Sequence, residues 1–195
     1  MTEKPTPAPN DSLDDVLTHA FAMLSRGVAD RRSPFRSPAF VTAGLDGAPQ
    51  VRTVVLRGFE PAVRTLRMHS DRRAEKIAEL ARDPRAAVHV YDAQGALQLR
   101  LAGEAVVSTD DAVADEAWRK TPEGARAVYA GAITPGSPIA APAEGGVAGP
   151  DPRANFAVIR FTLHELEWLH LKASGHRRAH FSWRGDAPRA TWLAP

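Results

Sequence analysis

The residues best suited to chemistry sit in one short stretch, Met68-His69-Ser70-Asp71-Arg72-Arg73-Ala74-Glu75-Lys76, where a β-type pattern gives way to a helical one. The start of a helix already carries partial positive charge and unpaired N–H groups, so Arg72, Arg73 and Lys76 in its first turns are locally unfavourable without an anion nearby. Arg73 and Lys76, three apart, share a helix face, and with the Ser70 hydroxyl they would form a compact phosphate cradle. The same residues also describe a solvated face neutralised by Glu75 and Glu79. A second charged feature is Arg52-Thr53-Val54-Val55-Leu56-Arg57. On a strand Arg52, Val54 and Leu56 share one face, so Arg52 either has a partner or lies on an exposed edge.

Other chemistries are poorly served. The sequence has no G-x-G-x-x-G, no phosphate loop, no H-E-x-x-H and no G-x-S-x-G, and with no cysteine it can form neither disulfides nor thiolate sites. His176 and His180 would be helical neighbours, but their context reads as a strand, where residues four apart lie roughly 13 Å from each other. No metal site and no protein catalytic residue are expected.

The elements that must position these residues follow from periodicity. Ser12 to Arg31 reads as an amphipathic helix with Ser12 as N-cap, ended by Pro34 and Pro38. Ala39 to Leu45 and Val51 to Gly58 read as two β runs joined at Asp46-Gly47, and Thr65 to His69 as a third. Ser70 to Arg82 is helical and stops at Asp83-Pro84. Ala86 to Tyr91 and Ala96 to Ser108 are strands. In the second, Leu97, Leu99 and Leu101 form an apolar stripe that a partner could cover. Two short helices follow at Asp110 to Lys120 and Glu123 to Gly131. The Pro, Gly and Ala-rich segment 134–153 reads as a long loop or a mobile flap, a kind more often functional or disordered than inert. Phe156 to Lys172, Gly175 to Trp183 and Arg189 to Leu193 are the last strands, with a turn at Gly185-Asp186. Six to eight strands with few long crossovers make a mostly antiparallel barrel with peripheral helices.

At 195 residues the chain suits one domain over 12–195 behind a polar, Pro-rich leader, 1–11. No apolar run approaches the roughly 20 residues of a membrane span, and the leader is no signal peptide, so a cytoplasmic address is expected. The 25 basic and 23 acidic residues are interspersed, and aromatics make up only 7% of the chain. A nucleic-acid-binding barrel would want a basic face with stacking aromatics, so that role is not expected. Only four of the basic residues are lysines, so a single arginine is weak evidence of function.

Taken in order, these segments resemble the pyridoxamine 5'-phosphate oxidase-like FMN-binding split barrels, over roughly 34–103 and again over 156–195. The resemblance rests on an R-x-x-x-L-[KR] strand (Arg52 to Arg57), a [TS]-[DN] step with a lysine six residues on (Ser70-Asp71 to Lys76), Asp83-Pro84, Gln98 five residues before Gly103, and a terminal Trp192 to Pro195. It implies an antiparallel split β-barrel that binds FMN through Arg52, Val54, Val55, Leu56, Arg57, His69, Ser70, Arg73, Lys76 and Gln98. It also implies a homodimer with the flavin between subunits, and an FMN-dependent oxidoreductase in which the flavin performs the redox step. A non-enzymatic flavin- or haem-binding barrel is the alternative. Two departures stand out. The helix start reads Ala74-Glu75-Lys76 where the oxidase has Ser-Arg-Lys, and His176-Arg177-Arg178 reverses its Arg-x-His element. A substrate other than pyridoxamine 5'-phosphate is therefore expected.

Overall fold

The computed structural model describes residues 12–141, 149, 151–173, 175–184 and 187–195. The chain opens with α1 (Leu13–Ala29), started as expected by Ser12, whose hydroxyl accepts from the Asp15 N–H at 3.1 Å. Its buried stripe, Val16, Ala20, Leu24 and Gly27, recurs at the helical period. Then come β1 (Ala39–Ala43), β2 (Pro49–Thr53), β3 (Leu56–Glu60), β4 (Thr65–Asp71), α2 (Glu75–Arg82), β5 (Arg85–Asp92) and β6 (Leu97–Ser108). After α3 (Ala112–Lys120) and the single turn α4 (Glu123–Arg126), the chain returns through β7 (Phe156–His170), β8 (Arg177–Ser182) and β9 (Arg189–Leu193). Among the described residues no helix is long and apolar enough to cross a membrane.

The nine strands form one antiparallel sheet in the order β2-β1-β5-β6-β7-β4-β3, with β8 and β9 branching from β7. Its ends do not pair, so it is an open, split barrel. The 15-residue β7 makes the branch possible: residues 156–162 pair with β4, residues 165–170 with β8, and β6 runs along residues 158–170. The β6–β7 register shifts at Ala102/Gly103, where any Cβ on Gly103 would stand 2.1 Å from the Thr162 carbonyl oxygen. Glycine is the residue that lets the two backbones close there.

Several expectations change. The run Val51 to Gly58 is not one strand. It breaks at Val54-Val55, with the Val54 N–H donating to the Pro38 carbonyl at 3.0 Å, and its halves pair at opposite ends of the strand order. The period-two face shared by Arg52, Val54 and Leu56 therefore does not exist. The second helix begins at Glu75 rather than Ser70, because Ser70 and Asp71 finish β4 in register with Ala157 and Phe156. Leu97, Leu99 and Leu101 are 4%, 0% and 1% exposed within this chain's own core, so they cannot face a partner. Among the described residues the strands number nine rather than six to eight. The leader 1–11, the Gly185-Asp186 turn and residues 142–148 and 150 of the loop at 134–153 lie outside the described residues.

Candidate functional site

The break at Val54-Val55 opens a cleft of about 330 Å3 between the end of β4 and the start of α2. Thr53, Val54 and Val55 form one wall, and His69, Ser70 and Asp71 another. Lys76 enters from the first turn of α2, and Tyr129 and Pro135 close the outer side. The Lys76 ammonium donates to Ser70 Oγ at 3.2 Å, while that hydroxyl donates to the Asp71 carbonyl at 3.1 Å. Burial, and then the Arg52 guanidinium, push the Lys76 amine below its ordinary range. An anion beside it would offset both. The N-cap of α2 is Ala74, which has no side-chain hydrogen bond to offer, so the first-turn N–H groups have no side-chain cap.

Six of the ten expected cofactor-binding residues meet here: Val54, Val55, Arg57, His69, Ser70 and Lys76. The other four are placed differently. The Leu56 side chain is wholly within the core. Arg52 donates to Glu79 at 2.8 Å and to Thr42 Oγ1, tying α2 to β1 over a carboxylate with no exposure. Arg73 precedes α2 and donates to Asp71 at 2.7 Å and to the Gly131 and Ala132 carbonyls at 2.9 and 3.2 Å, so it does not share a helix face with Lys76. Gln98 lies on β6 with its carbonyl 3.2 Å from His89 Nε2, away from the cleft.

Beyond Arg57 and His69 lies a second cavity of about 190 Å3, which also takes in Arg36, Arg67, Lys120 and Thr121. Arg36, Arg67 and Lys120 were not singled out from sequence. Arg67 was within reach, because it precedes His69 by two on β4 and so shares its face. Lys120 is paired with Glu116 at 2.6 Å. Among the described residues, however, Arg36, Arg57 and Arg67 have no carboxylate within ion-pair distance. Arg36 donates to the Val28 carbonyl at 2.7 Å and Arg67 to the Arg57 carbonyl at 3.3 Å, and neither contact cancels charge. His69 stands edge-on to Phe156, ring centres 4.8 Å apart, between the two cavities. Burial, then Arg57 and Arg67, lower its pKa to about 4, so it is neutral near pH 7.

The element His176-Arg177-Arg178 borders neither cavity. Arg178 donates to Glu167 at 2.8 Å, the Arg177 guanidinium lies 4.8 Å from the Trp192 ring centre, and His180 Nε2 is 3.7 Å from Glu165. No group of three or more His, Asp or Glu residues that could hold a metal occurs among the described residues.

Residues 19–109 match the family model of the pyridoxamine 5'-phosphate oxidase FMN-binding domain. Pyridoxine/pyridoxamine 5'-phosphate oxidase 2 of Arabidopsis thaliana is 29% identical over 144 residues, covering 68% of this chain and 72% of that protein. Among solved structures, a pyridoxamine 5'-phosphate oxidase-related, FMN-binding protein of Nostoc punctiforme PCC 73102 is similar with a TM-score of 0.71 at 24% identity, over 97% of this chain and 100% of the other. PhzG of Burkholderia lata 383, solved with tetrahydrophenazine-1-carboxylic acid, has a TM-score of 0.69 at 21% identity over 100% and 99%. At these identities the structural likenesses speak for the fold. With the family-model match over residues 19–109 and the same open barrel fold over the whole chain, this protein is similar to the pyridoxamine 5'-phosphate oxidase-like FMN-binding split barrels.

Proposed function

We propose that this chain binds FMN in the cleft at Val54-Val55 and works as an FMN-dependent oxidoreductase on a substrate other than pyridoxamine 5'-phosphate. The observation that carries the reading is the half-buried Lys76 ammonium held on Ser70 at the start of α2, beside an apolar wall. That arrangement suits a group with an anionic end and a flat apolar body. The cleft volume also falls within the roughly 300–1,000 Å3 of small-molecule sites. Lys76 and Ser70 hold the phosphate, and Val54, Val55 and Tyr129 shield the ring from water. Arg57 stands where the cleft meets the basic cavity. The bound flavin supplies the redox chemistry, so the protein's part is binding, orientation and electrostatics.

A homodimer in the cytoplasm completes the reading. Gln98 points to the dimer: it is remote from the cleft of its own chain, and a two-subunit site would take it from the partner. The absorption spectrum of the purified protein is the direct test. Flavin bands that are released on denaturation, and bleached by NAD(P)H or an amine substrate with turnover, support an enzyme. Flavin that no donor reduces would leave a binding module, and failure to take up added FMN would overturn the cofactor assignment.

A further inference from the structure

The outer rim of the cleft is held by bonds that no helix or strand supplies. From Val128 to Pro135 the chain borders that rim, and four successive carbonyls in it are taken up by donors from elsewhere. The Tyr129 carbonyl accepts from Asn155 Nδ2 at 2.8 Å, that of Ala130 from the Gly149 N–H, and those of Gly131 and Ala132 from Arg73 at 2.9 and 3.2 Å. Arg73 is itself fixed. Its Nε and Nη2 donate to the two Asp71 oxygens at 3.0 and 2.7 Å, and its backbone N–H donates to the same carboxylate at 2.8 Å. The two side-chain anchors start from one place. Asp71 pairs with Phe156 at the end of the β4–β7 ladder, Asn155 directly precedes Phe156, and the Asn155 carbonyl accepts from the Arg72 N–H at 2.8 Å. What they hold in place is Tyr129, the one buried residue from 122 to 141. Its ring stands edge-on to Phe156 with centres 5.1 Å apart, 6.0 Å from that of Trp118, and lines the cleft.

We infer that Arg73 and Asn155 are positioning residues: they strap residues 129–132 over the mouth of the cleft, and release of this strap gates the passage of FMN into and out of it. The inference rests on reading the cleft as the flavin site. A guanidinium suits the task because its planar fork grips a carboxylate and two carbonyls at once, which a single ammonium cannot do. With Val128 and Ile133 exposed on either side, the stretch is anchored by one ring and a few hydrogen bonds. A segment with so few buried contacts opens locally, well below the cost of unfolding the barrel. Opening exposes carbonyls that water satisfies, but it also takes Tyr129 out of an apolar nest, so the closed form is favoured. Such a gate scales entry and exit by the same open fraction and leaves the affinity of the closed complex nearly unchanged.

Arg73→Lys and Asn155→Ala test the strap without altering the charge around the cleft. Stopped-flow flavin fluorescence should show FMN association and dissociation accelerated together, by about tenfold for Arg73→Lys and a few-fold for Asn155→Ala, with their ratio held within a few-fold. The strap is read separately, with no flavin added, by nitration with tetranitromethane mapped on peptides. Tyr129 should be nitrated about tenfold faster in Arg73→Lys than in the unaltered protein, while Tyr91, the chain's other tyrosine, reacts at the same rate in both. Unchanged FMN rates in Arg73→Lys overturn the gate. Faster dissociation with unchanged association, and affinity lost in proportion, makes Arg73 a phosphate ligand and overturns it too. An unchanged Tyr129 nitration rate overturns the strap itself. If the protein takes up no FMN while Tyr129 is unmasked as described, the flavin reading alone fails and the strap stands.

Discussion

Replacing Lys76 by alanine separates phosphate recognition from ring recognition. The ammonium is held on Ser70 at 3.2 Å, and Ser70 keeps its bond to the Asp71 carbonyl when Lys76 is gone, so the cleft should retain its shape. A hydrogen bond to a charged group is worth about 1.5–3 kcal/mol. At 1.4 kcal/mol per decade, Lys76→Ala should weaken FMN by roughly 10- to 150-fold. Riboflavin, which has no phosphate, should lose almost nothing. Arg73→Ala serves as the control: its guanidinium is spent on Asp71 and the 131–132 carbonyls, so FMN affinity should change by no more than a few-fold. Quenching of flavin fluorescence gives both dissociation constants for each variant. Equal losses for FMN and riboflavin, or an Arg73→Ala variant as damaged as Lys76→Ala, would refute the assignment.

Gly103→Ala should destabilise the fold by about 3 kcal/mol in urea, because the new methyl group meets backbone at 2.1 Å in the β6–β7 bulge, and an unshifted midpoint would contradict that geometry. His69 titrates at about 4 in the folded protein against an ordinary value of about 6.5, so between those values the unfolded chain holds the extra proton. Stability should accordingly fall as the pH drops through that window, and His69→Asn should flatten the fall; identical pH profiles would argue against the burial of this ring. Sedimentation at micromolar concentration should show a dimer, and a flavin-loaded monomer would count against a shared site. Pyridoxamine 5'-phosphate should not be turned over at low micromolar concentration, given that Arg178 is committed to Glu167; saturable turnover at about 1 per second or faster would reverse that conclusion.

The parts of this molecule that were legible beforehand are those written in adjacent residues. Ser12 caps α1, and Asp46-Gly47 turns the β1–β2 hairpin with Gly47 at φ 87°. Val54-Val55 misled because β-branched residues favour a strand wherever they sit, whereas the break there arises from β2 and β3 pairing at opposite ends of the strand order. Arg52 and Arg73 were credited with binding an anion, but Glu79 and Thr42 claim one and Asp71 with the 131–132 carbonyls the other. In a chain whose basic residues are nearly all arginine, the charge of Arg36 was indistinguishable from its neighbours, whereas Arg67 could have been found by its place two residues before His69. From the sequence alone came the mostly antiparallel barrel, the strand-to-helix step and Lys76 with Ser70, since caps, turns and alternation are local, and the split-barrel class came with the family resemblance. Which arginines keep their charge unpaired was decided only in three dimensions, because a guanidinium's partner is whichever oxygen the packing brings within about 3 Å, and residue spacing does not carry that information.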